Sequence, residues 1–67
     1  MQLTINGQQV SVPDEIRHVR DLLDHYVLGN KLVVVEIDGV IADRKAYEAI
    51  EVREGNVIEM VHFVGGG

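Results

Sequence analysis

No cysteine occurs anywhere in the chain, so its 67 residues can be stapled neither by disulfides nor by a thiolate metal site. A chain this short has room for one domain with one hydrophobic core, and little surface remains for a deep cleft. A self-contained enzyme is therefore not expected. The composition can build such a core: 46% hydrophobic and 25% charged residues with a single proline describe a folded globular domain and not a disordered tail. Eleven acidic residues against six basic ones leave a net charge of −5, which opposes binding to nucleic acid or anionic lipid and suits partners with basic docking surfaces. The opening residues, Met1 to Asn6, lack the basic and apolar regions of a signal peptide, and no apolar run approaches membrane-spanning length. A cytoplasmic location away from the membrane is the expectation.

Hydrophobic periodicity divides the chain into elements. Leu3 and Ile5 alternate with polar neighbours, Asn6-Gly7 follows, and Val10 and Val12 alternate again, which predicts a β-hairpin closed by a tight turn with positive φ. Pro13 ends the second strand, because it lacks the N–H that a ladder needs. Val19, Leu22, Leu23 and Tyr26 recur at helical spacing and predict an amphipathic helix over about residues 17–28, stopped by Gly29-Asn30. Residues 31–37 read as a β-branched strand, with Val33, Val35 and Ile37 on one face and Leu32, Val34 and Glu36 on the other. Asp38-Gly39 turns it into a short strand at Val40-Ile41. Residues 43–51 are polar and irregular, with one helical turn expected near 45–48, and Glu54-Gly55-Asn56 makes another turn. A last strand over residues 57–64 runs straight into Gly65-Gly66-Gly67.

Hairpin, helix, strand pair and final strand give an α+β domain, a mixed sheet of four to five strands with one helix across one face. This is the element order of the β-grasp, or ubiquitin-like, fold. Residues 1–64 form the expected domain and residues 65–67 a flexible reactive tail. One helix covers one face of the sheet, so the other is left to solvent or to a partner.

Conventional catalytic groupings are missing from the pattern. The carboxylates are spread along turns and polar faces, and read as solubilising. His18 and His25 could share a helix face, but no third ligand stands at a usual spacing for a metal. Ser11 and Thr4, the sole serine and threonine, fall on strands with no nucleophile elbow around them. What remains is the triglycine ending. Alone it fits a frayed terminus as well as a working part. Without Cβ atoms, however, a glycine tail can thread extended through a narrow channel and present its terminal carboxylate to another protein's active site.

The segment Glu54-Gly55-Asn56-Val57-Ile58-Glu59-Met60-Val61-His62-Phe63-Val64-Gly65-Gly66-Gly67 resembles the ending of the ThiS-type sulfur carriers of thiamine biosynthesis. Val19-Arg20-Asp21-Leu22-Leu23 is similar to that family's helix start, and Val33 to Arg44 to its strand and turn. Ala42-Asp43 stands where the family often has Val-Pro, and Tyr47 where it often has Trp. The resemblance implies a carrier and not an enzyme: a ThiF-like activating enzyme uses ATP and Mg²⁺ to adenylate the Gly67 carboxylate, and a persulfide donor converts it to a thiocarboxylate. A ThiG-like thiazole synthase then consumes the sulfur. On this reading the carrier binds no cofactor of its own, Gly67 is the covalent site, and Gly65, Gly66 and Gly67 form the inserted tail. With no cysteine in the chain, the terminus is also the reasonable covalent site for sulfur.

Period-two counting back from the tail sends Ile58 and Met60 toward the helix and Val57, Glu59, Val61 and Phe63 outward. Together with Leu32 and Val34, the outward residues Val61 and Phe63 predict an apolar partner-binding patch beside the tail. Two related readings stay open: a small subunit of molybdopterin synthase, which changes only the sulfur consumer, and a ubiquitin-like modifier that forms isopeptide bonds. A plain β-grasp interaction module is a third.

Overall fold

The computed structural model describes residues 1–26, 28 and 32–62. Strands β1 (Gln2–Ile5) and β2 (Gln8–Ser11) form the first hairpin, helix α1 (Val19–His25) follows, and β3 (Val33–Ile37) and β4 (Val40–Ile41) form the second hairpin. A single 3₁₀ turn, Arg44–Ala46, precedes the last strand, β5 (Val57–His62). The five strands make one sheet in the order β2-β1-β5-β3-β4. β5 lies at its centre, parallel to β1 and antiparallel to β3, with Thr4 opposite Val57 and Val35 opposite Met60. This mixed sheet with one helix on one face is the β-grasp arrangement.

Alternation along the strands builds the core. Leu3 and Ile5 of β1, Val33 and Val35 of β3, and Ile58 and Met60 of β5 all turn to the same side. There they share a buried cluster with Val19, Leu22 and Leu23 of α1. Each such side chain contributes about 2 kcal/mol on burial, and this holds a seven-residue helix that would be too short to persist in water. Ile16, Val12, Tyr47 and Val52 close the cluster around the helix.

The helix is shorter at both ends than the expected residues 17–28. His18 has extended backbone, φ −130 and ψ 163, because the Asp21 carboxylate accepts the N–H groups of both Arg17 and His18 at 3.1 Å and holds them outside the helix. The next two N–H groups donate to a neighbouring loop, Val19 to the Ile50 carbonyl and Arg20 to the Tyr47 carbonyl. The exposed donors of the first turn are thus satisfied from residues 47–50. At the other end Tyr26 leaves helical geometry at φ −93, ψ 9. The helical turn expected near 45–48 falls at Arg44–Ala46, where the Asp43 carboxylate accepts the Lys45 N–H.

Candidate functional site

Strand β5 carries the chain toward the glycine ending, and the fold secures it on both edges and at both ends. The hairpin turns each contain a positive-φ pair, Asn6 (50°) with Gly7 (83°) and Asp38 (49°) with Gly39 (86°). Asn and Asp tolerate this left-handed region better than other side chains, and Gly enters it freely. Both turn residues then reach across to β5. Asn6 Oδ1 accepts the Met60 N–H at 2.8 Å while its Nδ2 donates to the Met60 carbonyl at 3.1 Å. In this way the side-chain amide continues the β1–β5 ladder past the end of β1. At the start of β5, Asp38 Oδ1 accepts the Val57 N–H at 2.8 Å and Oδ2 accepts from Asn56 Nδ2 at 2.7 Å.

The outer face of the sheet is apolar where β3 and β5 meet. Val34 pairs across with Val61, and Leu32 precedes them. Exposure is 49% at Leu32, 43% at Val34 and 57% at Val61. Val57, 48% exposed, and Ile41, 69% exposed, widen the patch along β5 and onto β4. Three of the expected docking residues, Leu32, Val34 and Val61, are therefore brought together on one outward face. Phe63, Gly65, Gly66 and Gly67 lie outside the described residues, as does the end of the strand expected to reach 64.

Within this patch Glu36 and Glu59 sit directly opposite each other on adjacent strands. Period two sends both outward, but their pairing follows from the register between β3 and β5, which no local pattern carries. Asn-Gly and Asp-Gly likewise predict turns and nothing more at Asn6 and Asp38. No local signal announces a partner 54 residues away, although a side-chain amide at the mouth of a hairpin beside a central strand is placed for such a contact.

The remaining polar groups have structural roles. Ser11 Oγ takes a hydrogen bond from Gln2 Nε2. The Asp21 carboxyl is held below its ordinary range, first by the backbone N–H of Arg17 and then by that of His18. Asp14 is lowered by the Met1 ammonium, which it raises in turn. Among the described residues no three His, Cys, Asp or Glu side chains gather as a metal site, and no helix is long and apolar enough to cross a membrane. An open groove of about 570 Å³ beside Met1, Arg17 and Arg53 lies at the end of the sheet where β1 begins, opposite the end from which β5 exits.

A two-hairpin sheet, one helix and a central last strand leading to terminal glycines define the ubiquitin-like β-grasp class. Within that class the chain belongs to the ThiS family, whose model matches residues 2–67. It is 42% identical to the sulfur carrier protein ThiS of Bacillus subtilis over 65 residues, which cover 97% of this chain and 98% of that protein. It is also 35% identical over 63 residues to the uncharacterized protein ycf40 of Trieres chinensis. The crystal structure of the thiamine biosynthesis protein ThiS from Geobacter metallireducens superposes over the whole of both chains, with a TM-score of 0.81 and 35% identity. A solution structure of a thiamine biosynthesis protein from the same organism gives the same TM-score at 33% identity, covering all of this chain and 88% of that one.

Proposed function

We propose that this protein is a sulfur carrier of thiamine biosynthesis that works through the α-carboxylate of Gly67. An ATP- and Mg²⁺-dependent activating enzyme adenylates that carboxylate, releasing pyrophosphate and turning a poor electrophile into an acyl-adenylate. A persulfide donor attacks the acyl carbon and expels AMP, and opening of the resulting acyl persulfide by a thiol leaves a thiocarboxylate. The thiocarboxylate sulfur is ionised at neutral pH, soft and nucleophilic, and is given up to a thiazole synthase. The carrier contributes no catalytic group. It supplies a folded body over residues 1–64, an outer face for docking through Leu32, Val34, Val61 and Phe63, and a tail of Gly65, Gly66 and Gly67.

The observation that carries this reading is the match to the ThiS family running through residue 67, on a chain with no cysteine to carry sulfur elsewhere. The central position of β5 supports it, because a terminus that is handled by a partner has to leave a firm base.

Removal of Gly67 withdraws the carboxylate by about 3.5 Å along an extended chain, well outside the tolerance for attack on bound ATP. Pyrophosphate release with the cognate activating enzyme is expected to fall by orders of magnitude, on the scale of a misplaced reacting group. An alanine added after Gly67 is expected to do the same. Both variants keep the thermal stability of the parent and still compete with it for docking. Adenylation of either variant at the parental rate overturns the proposal. Intact-mass analysis of the protein from its own host is the complementary measurement, and an oxygen-to-sulfur gain confined to the C-terminal peptide is the expected result.

A further inference from the structure

Where β3 and β5 meet, the outer face is apolar except at one place. Glu36 and Glu59 are cross-strand partners there, flanked by the Val34–Val61 pair on one side, by Ile41 opposite Glu36, and by Val57 two residues along β5. Side chains in this relation have Cβ atoms roughly 5 Å apart, and like charges so placed repel and destabilise the sheet. Neither carboxylate forms a hydrogen bond or ion pair with any described residue. The charged side chains of the helix lie across the sheet, on the other side of the core. Among the described residues, then, the pair costs stability and gains no contact.

We propose that the outer face receives a basic side chain of the activating enzyme, an arginine by preference, seated between the Glu36 and Glu59 carboxylates. The inference rests on the carrier reading and adds the chemistry of the partner's surface. A guanidinium is planar, weakly hydrated and carries donors on separate edges, so one group can engage two carboxylates while its stem lies on Val34, Val57 and Val61. The surrounding apolar side chains exclude water once docked and strengthen the contact. Before docking, two carboxylates on a chain of net charge −5 steer a basic surface toward this face.

Other occupants fit less well. A second copy placed on this face about a twofold axis through the patch brings four carboxylates together. A hard divalent cation takes about six or more oxygen ligands, whereas no third acidic side chain among the described residues joins the pair.

The test is ATP-dependent pyrophosphate exchange by the activating enzyme on the parent, Glu36→Gln, Glu59→Gln and the double variant, at low and high salt. Glutamine keeps the shape and removes the charge. The double variant is expected to raise KM by about tenfold at low salt with kcat at saturation retained, the mark of lost docking energy alone. Raising the salt should raise the parent's KM steeply and the double variant's little. The double variant's Tm should equal or exceed the parent's, because a repulsion has been removed. A KM and salt dependence indistinguishable from the parent's overturn the inference while leaving the carrier reading intact. A lowered Tm overturns it too, by showing the pair satisfied within the fold, as does self-association of the parent through this face in sedimentation. A parent that is not adenylated at all removes the carrier reading and this inference with it.

Discussion

The carboxylate of Asp21 accepts two backbone N–H groups ahead of the helix, and they hold its pKa below the ordinary value. A group depressed in the folded state stabilises the fold above its unfolded pKa, and that contribution disappears as pH falls through the folded value. Asp21→Asn keeps an acceptor but no charge. Its Tm is expected to lie below the parent's near neutrality, and the gap should narrow below the ordinary aspartate value of about 3.9 and close once the parent's carboxyl is protonated. A gap that stays constant across a pH series of thermal melts would exclude the charge as its source. Tyr47 shows the limit of sequence reading at this scale. It falls in the stretch 43–51, where no periodicity marks a buried face, yet its ring is 4% exposed and its hydroxyl donates to the Val33 carbonyl at 2.8 Å. A buried phenol needs such an acceptor, and that acceptor comes from a strand fourteen residues earlier.

Among the elements, the two hairpins were the most legible, because Asn-Gly and Asp-Gly are demanded by the geometry of tight turns and the alternation beside them is strict. The extent of the helix was less so: the apolar spacing continued past the residues whose backbone is helical, and the capping contacts that end it come from side chains and from a distant loop. The reach of Asn6 to Met60 was invisible for the same reason, since register between strands far apart in sequence follows from tertiary packing. That clamp can be isolated with Asn6→Gly, which tolerates the positive φ but leaves the Met60 N–H and carbonyl without the amide. The expected cost is about 1–3 kcal/mol in denaturant unfolding, the penalty for stranding partly buried polar groups. Amide exchange should quicken at Met60 before it does at Val35. Equal protection at both positions would assign the clamp no role.

At the scale of the molecule, one helix leaves the sheet with one covered face and one open face, and period two was enough to sort Leu32, Val34, Val57 and Val61 onto the open one. Val61→Asp puts a charge at a position 57% exposed in the free protein, so the Tm should change little. Docking on an apolar surface should suffer by about tenfold or more in KM for adenylation, as a carboxylate is desolvated without a partner. An unaltered KM would place the contact elsewhere. The central position of β5 also has a consequence for synthesis. Translation delivers the chain from its first residue, but β1 and β3 remain without their common neighbour until residues 57–62 have left the ribosome. A chain that stalls short of this point has two unpaired edges and no route to the finished sheet, which leaves it open to proteolysis. Closure of the fold therefore requires synthesis to within five residues of Gly67, and a chain cut short before that point is left without its central strand.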